Sequence, residues 1–290
     1  MIYNHLDQLI GNTPILEVQG KNNNKLFLKL EMFNPGGSIK DRIALEMIND
    51  LIRKDLLLAN KKVVEATSGN TGIALSMLLG RLGYSFTAVM PENMSMQRRQ
   101  LFKAYGAEVI LTPASLGMDG AIDKAKQLAN QGYLYVDQFN NIANVNAHLK
   151  TTSEEIKKDF DKLDYIVLGV GTGGTLTGLS LGLKDKFPKI KFIAVEPKES
   201  SVLSGNPKGP HLIQGIGAGF IPPLLHLDAI SEIITIPSGL ALAKAKKLAM
   251  SGLFLGPSSA AAYLAAEKLM KKVRNATILV IAPDGGNKYL

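Results

Sequence analysis

Residues 165–175 read YIVLGVGTGGT, an apolar run that passes directly into a glycine-rich turn. The run has the composition of a buried strand, and the small residues after it are typical of a tight turn into a helix. On both sides of this stretch, similar apolar runs alternate with segments of helical periodicity through most of the chain. This alternation predicts strand–helix–strand units, and therefore an α/β fold built on mostly parallel sheet.

Eight strands are predicted from the apolar runs. Their ranges are 25–30, 62–65, 85–89, 108–111, 165–170, 191–195, 232–236 and 277–281. A polar stretch around 138–146 divides two sets of units, and 290 residues are enough for two medium domains. We therefore expect domains 1–142 and 143–290, each a mostly parallel twisted sheet flanked by helices.

Composition excludes several function classes. The chain has no cysteine, so disulfides, thiolate metal sites and cysteine nucleophiles are excluded, and no metal is expected. The formal net charge of +8 comes from scattered basic pairs without a nucleic-acid motif, which predicts a solvated surface and no nucleic-acid partner. The first residues lack a signal-peptide pattern and no apolar stretch reaches the ~18 residues of a membrane span, so we expect a cytoplasmic protein.

Three small-residue loops are predicted to follow strands and to open helices: TSGNTG at 67–72, GVGTGGT at 169–175 and GPSS at 256–259. In open α/β sheets, ligands collect at the carboxyl ends of strands, where helix N-termini attract anions. The three loops therefore predict one composite site for an anionic ligand.

The loop at 169–175 allows two ligands. It satisfies the pattern GxGxxG, and Glu196 ends the next predicted strand about 20 residues later, as a dinucleotide site requires. Thr172 and Thr175 add hydroxyl groups that suit a phosphate monoester, which has more oxygens to satisfy. The pattern is therefore compatible with a nicotinamide cofactor and with a monophosphate cofactor. It is also compatible with a tight turn that binds no ligand.

Lys40 stands in the first turn of a helix that we predict to begin at Ser38, where Ser38 and Asp41 form a capping-box pattern. Most lysines are solvent-exposed cations. A helix N-terminus disfavours an ammonium group, however, so the neutral amine that reacts with an aldehyde cofactor is relatively favoured here.

Several motifs together resemble the cysteine synthase (O-acetylserine sulfhydrylase) family. They are GNTP at 11–14, NPGGSIKDR at 34–42, TSGNTG at 67–72, QF at 138–139, GVGTGGT at 169–175, GPH at 209–211, QGIGAGFIP at 214–222 and the ending 284–290. The matches keep their order and extend over nearly the whole chain. The resemblance implies the fold type II of pyridoxal-phosphate enzymes, with 35–142 as a smaller mobile part and 13–33 packing on the other domain.

The resemblance also implies the site. Lys40 would form the Schiff base with pyridoxal 5'-phosphate and later act as acid and base, and Asn70 would bond the ring hydroxyl. Ser258, with Ser259 as the fallback, would face the pyridine nitrogen. The residues implied for the cofactor phosphate are Gly171, Thr172, Gly173, Gly174 and Thr175. Those implied for the substrate are Thr67, Ser68, Asn70, Thr71 and Gln138.

The implied reaction converts O-acetyl-L-serine and sulfide to L-cysteine and acetate through an aminoacrylate. Cystathionine β-synthase and cysteine desulfhydrase use the same chemistry and remain alternatives. An NAD-dependent dehydrogenase is a remote one, and a silent binding partner of serine acetyltransferase is the non-enzyme alternative. The family resemblance further implies a homodimer, with serine acetyltransferase as a further partner.

Three departures from the family pattern stand out. Pro257 and Ala260 interrupt the usual GISSGAA sequence, and Pro257 is expected to shift the Ser258 hydroxyl. TSEEI at 152–156 replaces the common TGPEI, and Asn287 and Lys288 replace the usual Glu-Arg pair. The last two departures are expected to be peripheral.

Overall fold

The computed structural model describes residues 2–290. Within them the strands form two sheets, one of six strands in the order β1-β2-β10-β7-β8-β9 and one of four in the order β5-β4-β3-β6. The strands are β1 (Ile15–Val18), β2 (Lys25–Leu30), β3 (Val63–Ala66), β4 (Phe86–Pro91), β5 (Glu108–Thr112), β6 (Leu134–Tyr135), β7 (Tyr165–Gly169), β8 (Lys191–Pro197), β9 (Ile230–Ile236) and β10 (Thr277–Ala282).

Helices flank both sheets. They are α1 (Lys40–Arg53), α2 (Asn70–Arg81), α3 (Met96–Ala104), α4 (Gly117–Asn130), α5 (Ala143–Ala147), α6 (Ser153–Asp159), α7 (Gly174–Leu183), α8 (Ser238–Met250) and α9 (Pro257–Leu269). A π-helical turn, His148–Thr152, joins α5 to α6. Within residues 2–290 no helix is both long enough and apolar enough to cross a bilayer.

Strand pairing confirms the predicted α/β class. All neighbouring strands are parallel except β1 and β2, which pair antiparallel. Strand β2 pairs with β10, so the hairpin of β1 and β2 belongs to the same sheet as the late strands β7 to β10. The other sheet contains only strands from residues 63–135.

The predicted strands all occur, with bounds that differ by at most two residues. Two short strands, β1 and β6, were not predicted. The two central residues of β1 are exposed, so no alternation of buried and exposed residues marks it. Strand β6 has two residues, which is too short to leave a pattern.

The predicted start of α1 is wrong by two residues. The helix begins at Lys40, and the Ser38 hydroxyl accepts the N–H of Lys40 at 3.2 Å. The carboxylate of Asp41 accepts the N–H of Gly36 at 2.5 Å and does not complete the predicted capping box. Gly37 has a φ of 76°, in the left-handed region that glycine adopts readily. The resulting turn places the N–H of Gly36 next to the Asp41 carboxylate.

The loop at 256–259 differs from its prediction in a similar way. It opens α9, but it follows an irregular segment in which Leu255 forms an isolated bridge with Gly285, not a strand. Pro257 is the first residue of α9, where the missing N–H of proline costs no helical hydrogen bond.

Helix α1 is anchored by a buried ionic network. The guanidinium group of Arg42 contacts Glu31 at 2.7 Å and Glu155 at 2.5 Å. Lys29, which is fully buried on β2, contacts Glu155 at 2.8 Å. The network joins α1, α6 and the six-stranded sheet, and thus fixes the helix that begins with Lys40.

Candidate active site

Lys40 lines a cavity together with the loop at 169–175. Gly171, Thr172, Gly173 and Thr175 of that loop and Gly215 of a later turn share the cavity with it. Burial lowers the pKa of the Lys40 amine to about 8, and the carboxylate of Asp284 partly opposes this shift. The sequence predicted a favoured neutral amine from the helix end, whereas the principal cause is burial.

The glycines of this loop are required by close contacts within the protein. A Cβ built on Gly171 would lie 2.5 Å from the carbonyl oxygen of Gly215, and one on Gly174 would lie 2.1 Å from Oδ1 of Asn144. Gly173 has a φ of 84°. The first N–H groups of α7 have no acceptor within the helix, and they follow directly on the loop that lines the cavity.

Buried side chains from the 143–152 region contact both threonines of the loop. Nδ2 of Asn144 donates to Oγ1 of Thr172 at 2.9 Å. Nε2 of His148 lies 3.1 Å from Oγ1 of Thr175, and its Nδ1 lies 2.9 Å from Oγ1 of Thr152. Burial holds the pKa of His148 well below its usual range, so the ring is neutral. No role was predicted for Asn144 or His148, because a polar stretch gives no sign of which side chains are buried.

Asn70, the first residue of α2, is held at both ends of its amide. Its Nδ2 donates to Oδ2 of Asp284 at 2.7 Å, and its Oδ1 accepts from Nζ of Lys288 at 3.0 Å. The hydroxyl of Tyr289 donates to the same oxygen of Asp284 at 2.5 Å. The expectation that position 288 is peripheral is therefore wrong.

The TSGNTG loop and Gln138 form a second group of contacts. Oγ1 of Thr67 accepts the N–H groups of Gly69 at 3.3 Å and Gly72 at 3.1 Å, which fixes the turn into α2. The Thr71 hydroxyl donates to Oε1 of Gln138 at 2.7 Å. Ser68 is only partly buried, and its carbonyl oxygen accepts from the Arg98 guanidinium at 2.9 Å.

One side chain joins this second group to the loop at 169–175. Nδ2 of Asn144, which donates to Thr172, also donates to the carbonyl oxygen of Gln138 at 2.8 Å. The structure therefore connects Thr71, Gln138, Asn144 and Thr172 in one chain of hydrogen bonds.

The two serines at the start of α9 have different surroundings. The Ser259 hydroxyl donates to the carbonyl oxygen of Asp284 at 3.1 Å. Oγ of Ser258, which is also buried, lies 4.0 Å from a Cβ built on Gly215, the glycine that lines the Lys40 cavity. The N-cap of α9 is Gly256, so Ser258 is not the cap of this helix.

Glu196 is bound to the backbone and therefore cannot be the acidic residue that a dinucleotide site requires. The two carboxylate oxygens accept the N–H groups of Leu203 at 2.9 Å and Ser204 at 3.0 Å. The carboxylate is thus bound to a backbone turn, and it is not free to bind a ribose.

The residues present fit an aldehyde cofactor that carries a phosphate monoester. An amine with a lowered pKa lines the same cavity as a glycine loop with two hydroxyl groups at a helix N-terminus. Both features are needed, because the amine attaches the aldehyde and the loop supplies donors for the phosphate.

Comparison with known proteins agrees with this chemistry. Residues 6–284 match the family model described as pyridoxal-phosphate dependent enzyme. Cysteine synthase B of Campylobacter jejuni is 46% identical, with 100% of this chain and 97% of that protein covered.

Two solved structures show the same fold. Cysteine synthase of Entamoeba histolytica has a TM-score of 0.95 and 40% identity, covering 100% of this chain and 89% of that one. The O-acetylserine dependent cystathionine beta-synthase of Helicobacter pylori has a TM-score of 0.95 and 37% identity, covering 100% and 98%. The chain therefore belongs to the family of pyridoxal-phosphate dependent enzymes and has the fold of its cysteine synthases.

Proposed function

We propose that this chain is a cysteine synthase that converts O-acetyl-L-serine and sulfide to L-cysteine and acetate. The observation that carries the proposal is the cavity shared by the Lys40 amine and the glycine loop at 169–175. The similarity to proteins named cysteine synthase over the whole chain supports the same substrates.

Lys40 is the proposed catalytic residue. Bound pyridoxal phosphate supplies an aldehyde carbon for attachment of amines and a ring that withdraws electrons from the substrate α-carbon. Because the pKa of Lys40 is lowered to about 8, a useful fraction of the amine is neutral near neutral pH and can accept a proton. Lys40 would remove the α-proton of the substrate at Nζ and later return a proton to the product.

The loop at 169–175 is the proposed phosphate site. The N–H groups and hydroxyls of Gly171, Thr172, Gly173, Gly174 and Thr175 would donate to the phosphate oxygens. A fixed set of donors at a helix N-terminus binds a phosphate without having to rearrange. The contacts of Asn144 and His148 with the two threonines support this role, since they hold both hydroxyl oxygens in place.

The TSGNTG loop and Gln138 form the proposed substrate site. Thr67, Ser68, Asn70, Thr71 and Gln138 would bind the substrate carboxylate, with Asn70 and Thr71 donating through their backbone N–H groups in the first turn of α2. The bond from Thr71 fixes Oε1 of Gln138 at 2.7 Å, and Nε2 of Gln138 lies 3.5 Å from the Ala66 carbonyl oxygen. The amide N–H groups of Gln138 are therefore the natural donors to an incoming anion.

Ser258 is the proposed partner of the pyridine nitrogen, and Asn70 that of the ring hydroxyl. The bond of Ser259 to a backbone carbonyl supports the choice of Ser258 over its neighbour. A neutral hydroxyl does not hold the ring nitrogen protonated as a carboxylate would, which favours β-elimination over transamination.

We also propose the domain organisation implied by the family resemblance. Residues 1–142 would form one domain, with 35–142 as a smaller part that closes on substrate, and 143–290 the other. Membership of β1 and β2 in the six-stranded sheet supports packing of 13–33 on the second domain. Closure would exclude water from the reacting groups. We further propose that the protein is cytoplasmic and forms a homodimer. Serine acetyltransferase is the proposed further partner.

A turnover assay with competing substrates tests the proposed reaction. The purified protein, supplied with pyridoxal phosphate, is given O-acetyl-L-serine or L-serine as donor and sulfide or homocysteine as acceptor. We expect rapid cysteine formation from O-acetyl-L-serine and sulfide, and its loss in Lys40→Ala. Preferred use of homocysteine over sulfide would contradict the proposed acceptor. If the main activity is release of sulfide from cysteine, the proposal that the protein synthesises cysteine is wrong.

A further inference from the structure

Lys288 joins two loops that carry proposed site residues. Its Nζ donates to the carbonyl oxygen of Gly36 at 2.7 Å and to Oδ1 of Asn70 at 3.0 Å. Gly36 lies four residues before Lys40, and Asn70 opens α2. One ammonium group therefore fixes the distance between the lysine loop and the TSGNTG loop.

The same contact fixes the orientation of the Asn70 amide. Because Lys288 is a donor only, the atom of Asn70 that faces it must be the carbonyl oxygen. Oδ2 of Asp284 accepts one N–H of Asn70 at 2.7 Å and also the Tyr289 hydroxyl at 2.5 Å. Asn70 has a second N–H, and its amide also interacts with the Tyr289 hydroxyl.

The stem of Lys288 also packs closely against the lysine loop. A Cβ built on Gly37 would lie 3.1 Å from Cε and 3.3 Å from Nζ of Lys288, and Gly37 has a φ of 76°. Burial lowers the pKa of Lys288, and the carboxylates of Asp284 and Asp41 oppose the shift. The two carboxylates thus favour the charged form that makes both hydrogen bonds.

We propose that Lys288 is a positioning residue of the active site, which with Asp284 and Tyr289 directs the second N–H of Asn70 toward the ring hydroxyl of the cofactor. The inference rests on the proposed function, because it assigns to Asn70 the cofactor contact proposed above. It makes the segment 284–289 part of the site and not a peripheral end of the fold.

Holoenzyme variants test this role. In Lys288→Met the stem remains but the donor and the charge are lost, so the Asn70 amide can rotate. We expect the dissociation constant for pyridoxal phosphate, from equilibrium dialysis of the holoenzyme, to rise about tenfold, as expected for loss of a hydrogen bond that a charged donor supports. The pH at which the visible absorbance band changes should rise. The Lys288 ammonium, which favours loss of a proton from the nearby bound cofactor, is absent in this variant.

Two variants separate positioning from general stability. Lys288→Arg keeps the charge and the donors, so its dissociation constant and visible band should return to within about twofold of the wild type. Lys244→Met is the matched control, because Lys244 is another largely buried lysine, paired with Glu267 at 2.8 Å. It should leave both readouts unchanged.

The outcomes separate this inference from the proposed function. Wild-type dialysis behaviour and an unchanged visible band in Lys288→Met would overturn the positioning role. If that variant does not fold, Tyr289→Phe decides, since losing only the hydroxyl bond to Asp284 should weaken cofactor binding at least twofold, and no change would overturn the role. A wild-type protein that takes up no pyridoxal phosphate would instead contradict the proposed function.

Discussion

Asn144 donates to Thr172 through Nδ2 at 2.9 Å, and the same nitrogen donates to the carbonyl oxygen of Gln138 at 2.8 Å. One fully buried amide thus connects the proposed phosphate site to the proposed substrate site. Its own Oδ1 has no hydrogen-bond partner among the described residues. A buried polar side chain with an unsatisfied atom is costly, and positioning of these two sites would explain why this one is present.

Replacement of this amide should affect both sites. In Asn144→Ala we expect the KM for O-acetyl-L-serine and the dissociation constant for pyridoxal phosphate each to rise about tenfold, because each neighbour loses a buried hydrogen bond. Steady-state kinetics and equilibrium dialysis measure the two constants. Asn146→Ala is the control, since the Asn146 side chain makes no hydrogen bond within residues 2–290. A change in only one of the two constants would contradict the coupling.

Gly174 has no room for a side chain. In Gly174→Ala the new methyl group would meet Oδ1 of Asn144 at 2.1 Å, and we expect the free energy of unfolding to fall by about 1–3 kcal/mol. Urea denaturation measures this change. In the control Gly239→Ala, no atom lies within 4 Å of the new Cβ, and the gain in helix propensity should raise stability by about 0.5–1 kcal/mol. Equal effects of the two variants would contradict the contact.

The lowered pKa of Lys40 predicts a pH dependence of cofactor uptake. Burial favours the neutral amine, so the reactive fraction should grow through a pKa of about 8 and level off above it, well below the 10.5 of an exposed lysine. Stopped-flow absorbance of the cofactor-free protein mixed with pyridoxal phosphate follows this rate. A rate that still rises steeply between pH 9 and 10 would indicate an ordinary lysine.

The same shift has a consequence for stability. A lysine whose folded pKa is depressed makes folding less favourable below its unfolded pKa, because the folded state disfavours the ammonium. The cofactor-free Lys40→Met protein should therefore have a higher Tm than the cofactor-free wild type at pH 7, with the difference shrinking toward pH 10. Thermal denaturation of both proteins over this pH range measures the difference in Tm. A lower Tm for Lys40→Met than for the wild type at pH 7 would contradict this prediction.

The buried network beneath α1 should be more important for stability than the ion pairs at its surface. Arg42→Met leaves Glu31 without its cation and Glu155 with Lys29 alone, and we expect a loss of about 3–5 kcal/mol. The matched control is Arg53→Met on the same helix, where the ion pair with Glu46 at 3.0 Å is largely exposed and should contribute less than about 1 kcal/mol. Urea denaturation compares the two, and similar losses would show that the network does not anchor α1.

How far the sequence predicts this molecule depends on how local each feature is. The strand and loop at 165–175 are local, and the glycines, the apolar run and the helix start lie where the pattern places them. The start of α1 was misplaced because Asp41 bonds Gly36 and not Ser38. Short strands such as β6 leave no periodicity to detect.

The missed site residues depend on contacts between distant parts of the chain. Asn70 and Lys288 are 218 positions apart, and Asn144 and Thr172 are 28 apart. Nothing in a single sequence brings such pairs together. Motifs could therefore identify Lys40 and the glycine loops, whereas the side chains that hold those loops became visible only in the folded structure.

Peptide mapping after borohydride reduction tests whether Lys40 carries the cofactor. Reduction makes the bond between pyridoxal phosphate and its lysine permanent, and mass spectrometry of the digested protein then locates the modified residue. We expect one phosphopyridoxyl group per chain, on Lys40, and none in Lys40→Ala. Stoichiometric modification of another lysine, or none in the wild type, would contradict it.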